Sequence, residues 1–363
     1  MIWNVPDSRY VQRLLFPERL VTCVVFSLDS TRLVSCGGKI TLWDVDSGTR
    51  LLQLREHSGA IQSVAFSHNS LRLASASLDK TIKILALSDD GYEEERESHG
   101  RIVWSVAFSH DSTRLVSASS DTTIRVWDAT SGECLDVLMD HKMAVRAVTF
   151  SHDSKQLVSA SEDGTIKIWD VNSWTPLRTL EGYDGSLCSV ALSHDSAQLA
   201  SGSTSGRITI WDTHGWNRMQ KLAGHSRGIG SLAFSHDLKQ LASASWDLTV
   251  KIWDIYSGEC TRTFNVGQTL YRIAFDASSS RLDTERGFID VTSPSSTQTA
   301  SISEHPRSQC KGAQISPDGE WILSQGKRIL WMPSEYRPSS SALSGSSIAI
   351  GAGSGKVWIC HLL

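Results

Sequence analysis

The sequence has no run of about eighteen apolar residues, so it offers no helix long enough to cross a bilayer. Its start, MIWNVPDSRY, lacks the basic and apolar regions of a secretory signal. Neither sign of charge dominates: 35 Lys and Arg stand against 39 Asp and Glu, for a net charge of −4. That balance argues against the basic footprint of a nucleic-acid binder. The seven cysteines (Cys23, Cys36, Cys134, Cys188, Cys260, Cys310, Cys360) are odd in number and contain no C-x-x-C. They read as reduced thiols rather than a disulfide framework or a zinc site. No N-x-[ST] acceptor occurs, which leans the same way. Together these absences lead us to expect a cytoplasmic protein with no cofactor, no metal, no nucleic-acid partner and no direct membrane insertion.

What the sequence does have is repetition. Residues 100–141, 142–183, 184–225 and 226–267 are one 42-residue unit written four times, with the skeleton SVAFSHDSxxLxSASxDxTIxIWD. Near-copies extend toward both ends, and the anchor recurs at Phe26, Phe66, Phe108, Phe150, Leu192, Phe234, Phe275 and Ile315. A period of about 40 residues ending in Trp-Asp marks a propeller blade. In IVWSVAFS the apolar alternation predicts a strand with Val103, Ser105 and Ala107 on one face and Trp104, Val106 and Phe108 on the other. Short turns, HDS, SDTT and TSGE, separate four such strands in each unit.

These residues resemble the WD-repeat (WD40) family, and the resemblance covers nearly the whole chain. It implies an all-β propeller of four-stranded antiparallel blades. It also implies a buried polar set of His, Ser, Asp and Trp in each blade. That set is complete as His99, Ser117, Asp121, Trp127; as His141, Ser159, Asp163, Trp169; and as His225, Ser243, Asp247, Trp253. Tyr183 and Ser205 break it beside Ser201 and Trp211, and Leu85 breaks it beside His57, Ser75 and Asp79. A Ser-His-Asp set invites a protease reading, but its recurrence in unit after unit is the behaviour of structure, and no enzyme is expected.

The unit count is about nine, whereas propellers typically have four to eight blades. The last unit ends after its third strand, at KVWICHLL. If residues 92–98 supply the fourth strand, residues 99–363 close a seven-bladed ring and 1–98 are incomplete leftover units. If residues 9–15 supply it, one ring holds all the units, making an eight- or nine-bladed alternative. The break at Leu85 favours the first division.

The ending ILWMPSEYRPSSSALSGSSIAIGAGSGKVWICHLL and the nearly pure repeats are also similar to the C-terminal propellers of fungal NACHT-type receptors. That likeness implies a ligand-sensing arm and makes the chain look like a fragment or shortened relative of such a receptor. The receptors' NTPase motif G-x-x-x-x-G-K-[ST] is absent, and GAGSGKVW reads as a hairpin.

Differences between units locate candidate sites. One variable position follows the apolar start of the inner strand: Gln62, Trp104, Arg146, Cys188 and Gly230. The other precedes the tetrad Asp position: Leu78, Ser120, Glu162, Thr204 and Trp246. In WD-repeat proteins both lie on the top face, so Trp104, Arg146, Glu162 and Trp246 are the expected partner-binding residues, with the indoles exposed to water. A second patch is expected at Trp174 and Trp216, as one apolar ledge, where other units carry Gly132 or Gly258. His68, His110, His152, His194 and His236 occupy equivalent turns. At a sheet spacing of about 10 Å they should share no metal and titrate independently. The Ser/Thr-rich stretch 292–308 reads as a worn blade with a polar outer loop.

The expected function is therefore a non-catalytic, monomeric scaffold or recognition propeller for protein or peptide partners. An adapter in an organelle-fission or ubiquitin-ligase assembly is the alternative. No W-D-x-R occurs to favour ligase docking, and nothing before Leu20 offers the heptads of a fission adapter.

Overall fold

Short runs of Val, Ile, Leu and Ala between Ser-Asp turns favour strands over helices throughout the repeats. The computed structural model describes residues 10–15, 23–36, 40–53, 57–87, 93–97, 99–181, 185–267, 269–276, 278–284 and 287–291. It also describes 313–315, 321–324, 327–331, 338–344, 347–352 and 356–361. Among the described residues every regular element is a β-strand. Stretch 292–308, Trp3 and Tyr183 lie outside them.

Seven four-stranded antiparallel sheets form, as expected for propeller blades. Six use consecutive strands, and we call them blades I (23–53), II (61–97), III (103–138), IV (145–180), V (187–223) and VI (229–265). The seventh pairs Tyr10–Leu15 with Lys356–His361, followed by Ser347–Ala352 and Pro338–Ser344. Two three-stranded sheets cover 273–290 and 313–331. Of the two candidate segments for completing the last sheet, 9–15 and 92–98, Tyr10–Leu15 of the first does so and Glu93–Glu97 of the second does not. Glu93–Glu97 instead pairs with Thr81–Ala86 as the fourth strand of blade II. Leu85 is buried and keeps its register between Leu73 and Glu93, so losing the indole does not interrupt the backbone ladder.

The chain divides into two compact units, Gly59–Leu282 and Met1–Ser58 with Asp283–Leu363. In the second, Val24, Leu33, Trp43, Val45, Ala349 and Val357 form one apolar cluster. In Gly59–Leu282 the cores lie between consecutive blades. Ala74, Ile82 and Ile84 of blade II meet Val103, Val106, Phe108 and Trp127 of blade III, and the same pattern recurs between III and IV. Each sheet thus buries its faces only by leaning on a neighbour.

The three complete tetrads are built as expected. In blade IV, His141 Nδ1–H donates to Asp163 Oδ2 at 3.0 Å, and His141 Nε2 lies 2.8 Å from Ser159 Oγ. Trp169 Nε1–H donates to the same hydroxyl at 2.9 Å. Asp163 also accepts the Lys142 N–H, the Thr165 N–H and the Thr165 hydroxyl. The sets around His99 and His225 repeat these contacts within about 0.1 Å. Burial alone would raise the Asp163 carboxyl, but the Thr165, Lys142 and His141 donors outweigh it and bring it down to about 2. Burial lowers His141 despite Asp163, which favours the neutral ring. Every polar atom in this relay has a partner, the condition under which a buried network stabilises.

The inner strands depart from strict alternation. In blade III, Val103 pairs with Ser119 and Ser105 with Ala118, which leaves Trp104 as the extra residue of a β-bulge. Arg146, Cys188, Gly230 and Gln62 are the bulged residues of blades IV, V, VI and II. Val103 is therefore buried on the same side as Val106 and Phe108, and Trp104 leaves that face.

Ser159→Ala would strand two buried polar groups, His141 Nε2 and the Trp169 N–H. At about 1–3 kcal/mol for each unsatisfied group, it should lower the urea midpoint well beyond Ser173→Ala, a change in an exposed turn, both read by tryptophan fluorescence.

Candidate functional site

The bulge sets the geometry of the first variable position, and a loop-to-loop hydrogen bond sets the second. In five blades the backbone N–H of the second position donates to the carbonyl two residues before the bulge. The pairs are Leu78 to Ala60, Ser120 to Ile102, Glu162 to Ala144, Thr204 to Ser186 and Trp246 to Gly228, at 2.8–3.0 Å. The two variable side chains of a blade therefore emerge side by side, at the end of the sheet that carries the tetrad loops.

They also fit each other. Trp104 Nε1–H donates to Ser120 Oγ at 2.6 Å. Arg146 Nε–H donates to Glu162 Oε1 at 2.6 Å, and Arg146 Nη2 contacts the same oxygen. Trp246 lies across two glycines: a Cβ added at Gly228 would stand 2.7 Å from its ring, and one at Gly230 would stand 3.4 Å from its nitrogen. Only small residues there leave room for the indole. The Trp246 indole nitrogen is buried and has no hydrogen-bond partner among the described residues.

Blades III and IV are joined by a further contact. The guanidinium carbon of Arg146 sits 3.8 Å from the Trp104 ring centroid, a cation–π geometry worth about 0.5–2 kcal/mol. Ser120, Trp104, Arg146 and Glu162 thus form one bonded chain across two blades. Cys188 of blade V borders it: burial pushes its thiol up to about 11, Arg146 opposing and Glu162 adding.

The four expected partner-binding residues come together in part. Trp104, Arg146 and Glu162 form one cluster, while Trp246 sits two blades on. Contrary to expectation, neither indole stands in water: Trp104 and Trp246 are half-buried, held by the bulge and by glycine. Exposed apolar residues at this end include Leu78, Met143, Leu248 and Tyr271, of which sequence comparison marked only Leu78, as a variable position. Met143 and Leu248 sit in loops that vary between units, the one signal that could have flagged them.

Trp174 and Trp216 do occupy equivalent turns at the opposite end. Both have a positive φ, 53° and 57°, where Gly132 and Gly258 have 67° and 73°. Such a backbone is unusual for a bulky residue. Each indole is half-buried over a different cluster, Trp174 against the core of blades III and IV and Trp216 against that of IV and V. The expected single ledge is thus two separate packings.

The five turn histidines are the larger surprise. Their ring centroids are 4.1, 4.5, 6.2 and 4.5 Å apart along the series His68, His110, His152, His194, His236. They are neighbours in contact, not groups about 10 Å apart, because the innermost strands of successive blades pack directly on one another. Among the described residues no set of three or more His, Cys, Asp or Glu is arranged to hold a metal ion. Nor is any helix there long and apolar enough to cross a membrane.

The tetrad serines offer no nucleophile. Ser117, Ser159 and Ser243 are fully buried, and each hydroxyl is held between an imidazole and an indole N–H.

Comparison with known proteins agrees with this architecture. The family model described as WD domain, G-beta repeat matches residues 13–44, 48–84, 93–128, 132–170, 174–212 and 216–254, more than half of the chain. The Podospora anserina "Vegetative incompatibility protein HET-E-1" is 40% identical over 95 residues, 26% of this chain and 7% of that protein. "WD repeat-containing protein 1" of Xenopus tropicalis is 39% identical over 84 residues, 22% of this chain and 14% of the relative. "WD repeat and SOCS box-containing protein 1" of Takifugu rubripes is 44% identical over 55 residues, 15% and 13% of the two chains. The matched stretches therefore span well under a quarter of each of these relatives.

Two outcomes test the geometry. Gly228→Ala should displace Trp246 and cost about 1–3 kcal/mol of stability, the usual penalty of overpacking. At about pH 8, where a thiol needs its thiolate to react, iodoacetamide should label the exposed Cys134 and Cys260 and leave Cys188 largely unmodified, as read by peptide mass spectrometry.

Proposed function

We propose that this chain, which belongs to the WD40 family of G-beta repeats, is a non-catalytic recognition scaffold that binds a protein or peptide partner at the end of its blades carrying Trp104, Arg146, Glu162 and Trp246. One observation carries the reading. On frameworks that are nearly identical from blade to blade, the residues that differ are the ones the bulges gather into a bonded cluster. Arg and Trp in a half-buried, preorganised arrangement are the residue types that dominate binding energy.

Recognition by a fungal receptor of the NACHT type is the specific setting we favour. The match to a fungal vegetative incompatibility protein supports it, although that match is confined to a short stretch. In such a setting the propeller would act as the sensor arm. Catalysis has no support from the site, since its titratable groups are either paired, as Arg146 with Glu162, or held in the unreactive thiol form, as Cys188. A monomer in the cytoplasm remains the expected state.

The test uses two variants. Arg146→Ala with Glu162→Ala removes the ion pair without leaving either charge alone, and Trp104→Ala removes the platform. Truncating hot-spot residues costs about 2 kcal/mol or more, roughly 30-fold in affinity. Affinity capture should therefore fall by about that factor for both variants, with melting temperatures within a few degrees of wild type. Undiminished capture by both variants removes the assignment of this site.

A further inference from the structure

The HDS turns of successive blades are knitted together as well as stacked. Asn69 N–H donates to Ser112 Oγ, Asp111 N–H to Ser154 Oγ, His152 N–H to Ser196 Oγ and His236 N–H to Ser279 Oγ, at 2.8–3.3 Å. Each of those serines has a φ between 56° and 62°, the left-handed bend that turns its hydroxyl toward the preceding blade. His68 Nδ1–H adds a bond to the Ser109 carbonyl at 3.2 Å. The five imidazoles lie along this seam, His110 half-buried and the other four exposed, so protons reach them freely.

We propose that the row His68–His110–His152–His194–His236 is a proton-operated clasp. Neutral rings hold the turns of five consecutive blades together, and protonated rings drive the four seams between them apart.

The clasp rests on contact between like groups. Rings with centroids 4.1–6.2 Å apart, one pair tilted and three edge-to-face, pack together when neutral and repel when charged. The carboxylates facing the row are Asp111, Asp153, Asp195 and Asp237, one in each turn after the first. Each accepts hydrogen bonds in its own turn, from Ser109 and Thr113, Ser151 and Lys155, Ser193 and Ala197, and Ser235 and Lys239 respectively. Asp111 and Asp195 pull His68 and His194 upward, and burial with the neighbouring rings outweighs them. Cations stand on the same turns: Arg72, Arg114, Lys155 and Lys239, with Arg114 paired to Asp128. His214 lies by Asp195 and Asp212. Beyond His236 the next turn carries Asp276 with Arg281.

Titration follows the same logic. Burial first, then the charges of His68 and His152, push His110 down to about 4, with the Ser151 backbone opposing. Burial followed by the charges of His236 and His152 lowers His194, and burial followed by the charge of His152 lowers His68. A folded-state value below the unfolded one of about 6.5 means the native state prefers the neutral ring. The contribution of His68, His110 and His194 is therefore complete above about pH 6.5 and lost as pH falls, for His110 toward about 4.

The decisive experiment is a residue-resolved imidazole titration of the full chain by NMR, for wild type and for His68→Gln with His152→Gln. His110 should titrate near 4 in wild type and move up toward 6.5 once its two neighbours cannot charge. Melting temperatures at about pH 7.5 and about pH 5 give the second readout. The variant with all five turn histidines replaced by Gln should lose less on acidification than wild type. His99, His141 and His225 contribute equally to both and cancel in that difference. Five imidazoles titrating together at the ordinary value, indifferent to their neighbours, would overturn the proposal. So would an equal loss of melting temperature in the variant. Should the five-fold variant not fold, the wild-type titration decides alone.

Discussion

The hydrogen bonds from one imidazole to a serine and an aspartate are the constraint that braces blades III, IV and VI. They tie the loop that enters the inner strand to the loop after the second strand. In blade IV this joins His141 and Lys142 to Ser159 and Asp163. Between the same two loops the Glu162 N–H meets the Ala144 carbonyl, and the inner strand carries one extra residue before it resumes its register. That residue is Arg146. The lock is identical in three blades and braces the site beside it. Blade V, with Tyr183 and Ser205 at the His and Asp positions, keeps the bulge at Cys188 and the Thr204-to-Ser186 bond, so the bulge belongs to the backbone of strand and loop and the network reinforces it.

Much of this was legible in the sequence. A 42-residue period, Trp-Asp endings and Ser-Asp turns gave the four-stranded blade, and the tetrads could be numbered residue by residue. The bulge was missed because alternation was read across IVWSVAFS as if the strand were regular. The signal was present: the buried residues are Val103, Val106 and Phe108, a spacing of three then two. The same spacing recurs as Val145, Val148, Phe150 in blade IV. A period-two strand cannot put those three residues on one face without an inserted residue. The choice of strand for the last sheet failed for a different reason. Leu85 changes a side chain, whereas strand pairing is made by the backbone, so a broken tetrad says little about where a sheet ends.

The partners chosen at the paired variable positions show what the frame permits. Trp104 meets a small hydroxyl, Arg146 a carboxylate, and Trp246 a pair of glycines. Each pair resolves the problem its larger member creates: an indole N–H needs an acceptor, a half-buried guanidinium needs a counter-charge, and a recumbent indole needs space. Side chains held in this way lose little freedom when a partner arrives, and that lowers the entropic cost of binding. The same pairing explains why the tryptophans do not stand out in water, as comparison between units alone had suggested.

The two ends of the blades follow opposite rules, and the difference is physical. At the tetrad end neighbours are unlike, and unlike neighbours such as Arg146 over Trp104 attract by charge and quadrupole. At the HDS end neighbours are the same residue, and identical side chains in contact must be able to tolerate themselves. A lysine or aspartate repeated five times at 4.1–6.2 Å would repel at every seam. A leucine row would leave the turn without a polar edge for water. Imidazole is the side chain that packs edge-to-face against itself when neutral and stays hydrated at its rim, and it is also the one whose neutrality depends on pH near the physiological range. Self-compatibility and proton sensitivity therefore come from the same choice of residue, and a chain that repeats His at this turn acquires both.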